Sequence, residues 1–209
     1  MRGRAYATAI SMVAAALPLL GWLSTVIVAL VCLRSGVAAG SLIFLWTLLP
    51  VGVAFYFVGD PSPMIALVGT FMMAMLLRQT LSWELVLIAS VVFSAAGALI
   101  FEFSAAGLLD RFVQFYIDYL AQVDASVVID PVQARKLLMG FFAVGQAFSM
   151  VVMLMIARWC QSTLYNLGGF RKEFHQLRLS PAVSGAIVLA MAVCYMFGDQ
   201  LGRWLPLLT

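Results

Sequence analysis

Chemistry in a protein needs ionisable, nucleophilic or metal-ligating side chains at spacings that bring them together, and this chain offers few. Its one histidine, His175, stands among Lys172, Gln176 and Arg178, the setting of a solvated surface residue rather than of a base or ligand. The sequence holds no H-E-x-x-H, no G-x-S-x-G and no P-loop pattern. Cys32, Cys160 and Cys194 are odd in number, far apart and outside C-x-x-C spacing, so they read as buried thiols rather than as a disulfide or zinc set. No ionisable pair falls inside an apolar stretch, which argues against a catalytic constellation and against the titratable relay of a proton-coupled pump. The expectation is a protein that is not an enzyme and uses no metal and no cofactor.

Polar groups inside apolar stretches are the next pointers, because an unpaired one in hydrocarbon costs free energy. Gln146 lies in the middle of one such stretch with Ser149 beside it, and Ser94 lies in another next to Ala95, Ala96 and Gly97. Hydrogen bonds between helices are the plain reading of all three, and small residues such as Gly36 and Gly40 read as packing faces. Between residues 106 and 123, Arg111, Gln114, Asp118 and Gln122 recur at spacings of three and four on an otherwise apolar segment. That is an amphipathic helix, lying in a membrane interface or bordering a wet cavity. The densest constellation is residues 166–180, where Asn166, Gly168 and Gly169 end a helix and Phe170, Phe174 and Leu177 follow at i, i+4, i+7. Arg171, Lys172 and Arg178 fall on the other side, giving a short basic amphipathic segment suited to anionic lipid headgroups or to a protein groove.

The elements that position these residues follow from composition. Of 209 residues, 64% are apolar and 10% charged, against about 45–50% and 25% in soluble domains. With a mean hydropathy of +1.06, a water-soluble globule would expose large apolar patches, so a bilayer is the expected solvent and lipid the first partner. The net charge of +3, without a basic stripe interleaved with aromatics, gives no support for nucleic-acid binding. The fold class is therefore all-α, a polytopic helical membrane protein of about seven transmembrane helices forming one integral membrane domain over 1–209. The spans are expected at 5–17, 22–33, 36–58, 63–78, 82–101, 137–160 and 181–198. The tract 5–33 is too long for one span and is broken at Leu17-Pro18-Leu19-Leu20-Gly21, with a single kinked helix as the competing reading. Arg2 and Arg4 before an apolar run look like a signal peptide, but hydrophobicity continues past Pro18 without a polar mature start, so no cleavage is expected.

Lys and Arg set the orientation. With the N-terminus cytoplasmic, Arg2, Arg4, Arg34, Arg78, Arg158, Arg171, Lys172 and Arg178 face inward, against Arg111, Arg135, Lys136 and Arg203 outward. Of the acids only Glu84 and Glu173 fall inside, which leaves an acidic outer rim.

Met1-Arg2-Gly3-Arg4-Ala5, Leu17-Pro18-Leu19-Leu20-Gly21-Trp22, Leu33-Arg34-Ser35-Gly36 and Leu164-Tyr165-Asn166-Leu167-Gly168-Gly169-Phe170 together resemble the YybS-like family of bacterial inner-membrane proteins. The resemblance covers most of the chain. It implies that the chain is shortened at Thr209 relative to the family, and that its bundle is distantly similar to the S components of energy-coupling-factor transporters. By that likeness the chain is a small-molecule-binding transporter subunit of the bacterial inner membrane, its ligand unknown. The ligand would lie in an outward pocket capped by the connection between the first two helices and by the loop after the fifth. Trp22, Glu102, Asp110, Gln114 and Asp118 would border that pocket, and Gln146 joins them as a polar group within a span. Ala5 and Ala9 resemble the small-residue face by which S components dock on a membrane partner. The alternative is a scaffold or accessory subunit that recruits a cytoplasmic protein through 166–180.

A topology reporter fused at Ser126 is expected to be active only on the outer side of the membrane. Cytoplasmic activity there overturns the orientation.

Overall fold

Apolar tracts separated by Pro, Gly and short polar turns must close their backbone hydrogen bonds within each segment when water is excluded, and helices do this. A computed structural model describes residues 4–17, 20–123 and 129–165, together with Ser180, Pro181 and Gly185. The chain divides into two compact units, 1–172 and 173–209, and the seven helices among the described residues all belong to the first. They are α1 (Arg4–Ala16), α2 (Gly21–Ser35), α3 (Val37–Val58), α4 (Ser62–Thr80), α5 (Trp83–Ser104), α6 (Ala106–Val123) and α7 (Pro131–Tyr165). Among these residues the structure is all-α, with no strand.

The connections are short and chemically specified. Gly36 alone links α2 to α3, at φ +100°, a conformation that a side chain disfavours. Gly59 ends α3 in the left-handed region at φ +76°, its N–H bonded to the Phe55 carbonyl at 2.7 Å. Ser82 caps α5 by accepting from the Leu85 N–H, and Glu84 sits in that helix's first turn, where the positive end of the dipole favours it. α3 passes through Pro50 as one continuous helix. The tract 5–33 forms two helices, with the chain reversing between Ala16 and Gly21 so that α1 and α2 pack as a hairpin.

Four of the seven helices, α3, α4, α5 and α7, are long and apolar enough to cross a membrane. They are not all the spans expected from sequence. α1 and α2 have 13 and 15 residues, short of the 17 or so that a bilayer core requires, because the break at 17–20 divides one long apolar tract between them. α2 tolerates its shortness because protein, not lipid, surrounds it. α1, α3, α4 and α7 pack on it, and all ten residues from Ser24 to Leu33 are buried. α7 is longer than expected, opening at Pro131 and running 35 residues. The expected span 181–198 and the basic segment 166–180 lie outside the described residues, apart from Ser180, Pro181 and Gly185.

The interior is mainly apolar with some small polar groups, but the surface is far more apolar than that of a water-soluble protein. Buried polar residues include Ser11, Thr47, Thr70, Ser90, Ser94, Gln146 and Ser162, whereas Leu45, Leu49, Val53, Tyr56, Phe57, Val91, Val92, Phe141 and Phe148 are exposed. The interior hydroxyls are largely self-satisfied. Thr47 donates to the Ile43 carbonyl and shares a 2.6 Å bond with Ser11, tying α1 to α3. Ser94, expected to bond between helices, instead donates to the Val91 carbonyl of its own helix, which needs no partner from across the bundle.

α6 is amphipathic in three arcs. Leu109 and Val113 pack it against α7; Asp110, Gln114 and Asp118 form an exposed polar arc; Phe112, Phe115 and Tyr119 form an exposed apolar one.

The tightest backbone approach is between α3 and α2. A Cβ built on Gly40 would stand 2.8 Å from the Cα of Cys32, whereas one on Gly52 meets nothing within 4 Å. Gly40→Ala must push two helices apart and is expected to cost about 1–3 kcal/mol. Gly52→Ala is expected to be neutral or to stabilise by about 0.5–1 kcal/mol. Thermal unfolding in detergent checks both. Equal behaviour of the two variants contradicts the packing described.

Candidate functional site

Unequal helix lengths build a recess that combines polar groups with enclosure. At the end of the bundle where α2 and α4 finish, Arg78 donates from Nη1 to the carbonyls of Cys32 (3.1 Å) and Leu33 (2.5 Å). A guanidinium from α4 thus closes carbonyls that the end of α2 leaves open, where positive charge is favoured. Gln161 of α7 donates to the same Leu33 carbonyl at 3.4 Å and accepts from Arg158 at 2.6 Å. These bonds bring the ends of α2, α4 and α7 together to within the reach of a side chain. Twelve residues back from Leu33 is Gly21, where α2 begins, and twelve back from Arg78 is Ala66, a full turn inside α4. Likewise Gly40 lies against Cys32, and eleven residues further along α3 is Val51. At about 1.5 Å per residue, α4 overtops the α1–α2 hairpin by roughly 6 Å and α3 by somewhat more.

The space left above the hairpin is a cavity of about 400 Å³. Ala15, Ala16, Leu17, Gly21, Trp22, Ser24 and Thr25 line it from the hairpin, Val51, Ala54 and Val58 from α3, Asp60, Pro63 and Ala66 from the following turn and α4, and Met153 from α7. The volume lies within the range of small-molecule sites, as does a lining that is mostly apolar with a few polar groups. Ser24 spends its hydroxyl on the Gly21 carbonyl at 2.6 Å. Asp60, the residue before the Pro61 N-cap of α4, closes a turn: its Oδ1 accepts from the Ser62 N–H at 2.9 Å and from the Ser62 hydroxyl at 2.5 Å. It is the one ionisable side chain among the described residues of the lining.

Of the residues expected to bind a ligand, the recess holds only Trp22, which is about half exposed. Glu102 and Asp110 are engaged elsewhere, joined by Arg135 in an ion-paired set at 3.4 and 2.7 Å that links α5, α6 and α7. Gln114 donates to Asp118 at 2.9 Å along the exposed arc of α6. Gln146 donates to the Ser62 carbonyl at 2.9 Å, holding α7 to the start of α4 as an interhelical tie. Ala9 is exposed on α1, and Ala5 lies in the helix's first turn. The partner-binding candidates Asn166, Gly168, Gly169, Phe170, Arg171, Lys172, Phe174 and Arg178 lie outside the described residues.

Sequence reading missed Asp60, Thr25 and Met153. Gly59-Asp60-Pro61-Ser62-Pro63 carried a turn signal, and nothing in its spacing told that the turn overhangs a shorter neighbouring hairpin. Among the described residues no group of three His, Cys, Asp or Glu could hold a metal ion.

A second, larger groove of about 850 Å³ runs along the outside of α3 between Leu45 and Phe57 and reaches Met64 of α4; its lining is almost entirely apolar, with no ionised side chain. It carries shape without polar recognition. Comparison of this chain with family models, with curated proteins and with solved structures finds no match.

Proposed function

We propose that this chain is a multi-pass protein of the bacterial cytoplasmic membrane that binds a small, largely apolar molecule in the recess above the α1–α2 hairpin. It would serve as the binding subunit of a transporter, in the manner of the S components it resembles. The observation that carries this reading is the cavity itself, a half-enclosed space of about 400 Å³ built by the register of five elements rather than by one mobile side chain.

Charge supports the orientation. Among the described residues Arg4, Arg34, Arg78 and Arg158 belong to the end where α2, α4 and α7 finish, against Arg111, Arg135 and Lys136 at the end that carries the recess, where Asp60, Glu102, Asp110, Asp118 and Asp130 also lie. Basic residues are retained on the cytoplasmic side, so the N-terminus is cytoplasmic and the recess opens outward. α6 then follows α5 at the outer surface, with Phe112, Phe115 and Tyr119 seated among lipid headgroups and acyl chains and its polar arc toward water.

A ligand present at a hundred times its Kd adds about 2.7 kcal/mol to the stability of the state that binds it. Protein extracted in a gentle detergent and analysed by native mass spectrometry is expected to carry a bound small molecule. Ala54→Trp, which places an indole on an exposed position of the lining, is expected to fold normally and to lose that molecule. Equal retention by the variant, or no small molecule on the wild type, contradicts the proposal.

A further inference from the structure

Resting on the binding reading above, we infer that the recess selects an organic cation: an ammonium group carried on an apolar body. Asp60 is the one charge in the described lining, and no Lys, Arg or His accompanies it. The backbone offsets that charge only in part, through the Ser62 N–H at the start of α4 that donates to Asp60. The α1–α2 turn and the α3–α4 turn each set the C-terminus of one helix beside the N-terminus of the next, so their partial charges of about half an elementary unit oppose each other. A net negative charge is left on the recess lining.

Asp60 also has capacity left. Both bonds from Ser62 fall on Oδ1, and Oδ2 takes neither. Around it the walls are Val51, Ala54, Val58, Ala66 and Met153, which lower the effective dielectric and strengthen any charge pairing. Trp22 adds an indole, the aromatic face that attracts cations best. A carboxylate ligand would meet repulsion with no compensating donor, and a neutral one would leave the charge of Asp60 unanswered. An ammonium ion is the headgroup that matches the set, while the aliphatic lining takes the rest of the molecule.

The test uses three probes with one body and different headgroups: 3-phenylpropylammonium, 3-phenylpropanol and 3-phenylpropionate. Their binding to the full-length chain in a non-ionic detergent is measured by equilibrium dialysis, with Ala54→Trp as the background for micelle partitioning. The ammonium probe is expected to bind at least tenfold tighter than the alcohol, and the carboxylate weakest. Asp60→Asn, which keeps an oxygen to accept from Ser62, is expected to bring the ammonium and alcohol probes within about twofold of each other. Equal affinity of the three probes, or an ammonium preference that survives Asp60→Asn, overturns cation selection while leaving the recess as a binding site. Binding of all three at the Ala54→Trp background defeats the recess reading and this inference with it.

Discussion

The constraint on which the structure depends is the absence of water around its long helices. α3, α5 and α7 turn Leu, Val, Phe and Trp outward over much of their length, and the interior holds the hydroxyls and the amide of Gln146. In water this arrangement would expose its greatest cost and bury its polar groups for no return. In hydrocarbon the ordering reverses: the outward face costs nothing, and the helices attract one another through close packing and a few interior hydrogen bonds. The short links follow from the same condition. One glycine between α2 and α3 and one alanine between α5 and α6 leave little backbone without a helical partner.

Within that medium, the shape of the molecule is set by how much helix each tract can make. The break before Gly21 divides a single apolar tract into two helices too short to match their neighbours. Arg78 anchors the short hairpin at one end by closing the carbonyls of α2, and Gly40 lets α3 come within contact of Cys32 there. With one end fixed, the mismatch in length appears wholly at the other end as a recess beneath the turn that carries Asp60. The cavity is thus a consequence of register, and its floor and walls come from residues that individually look like ordinary packing.

Much of this architecture was legible in the sequence. The end of α3 and the start of α4 follow the Gly59-Asp60-Pro61-Ser62-Pro63 turn, whose Gly and Pro residues fix backbone conformations locally, whereas the positive φ at the Gly36 break and the Ser82 cap of α5 emerge only in the structure. The three-to-four spacing of Arg111, Gln114 and Asp118 gave α6. What local pattern does not encode is which helix ends stand level. Glu102 and Asp110 look like free acids along the chain, and only the fold brings Arg135 to both. Gln146 reads from the sequence as an interhelical hydrogen-bonding group, and only the fold shows that its partner is the Ser62 carbonyl. Asp60 reads as a turn residue and becomes a wall of the recess through a length difference between elements some forty residues apart.

The central claim, that lipid covers the outward face of these helices, is tested most directly at Leu49, an exposed position midway along α3 within the largely apolar groove. A nitroxide attached at Leu49→Cys, with the native cysteines replaced and the protein reconstituted in bilayers, reports collision with oxygen, which concentrates in hydrocarbon, and with a water-soluble nickel chelate, which does not. High accessibility to oxygen with almost none to the chelate is the predicted result. Ready collision with the chelate at this position contradicts the account.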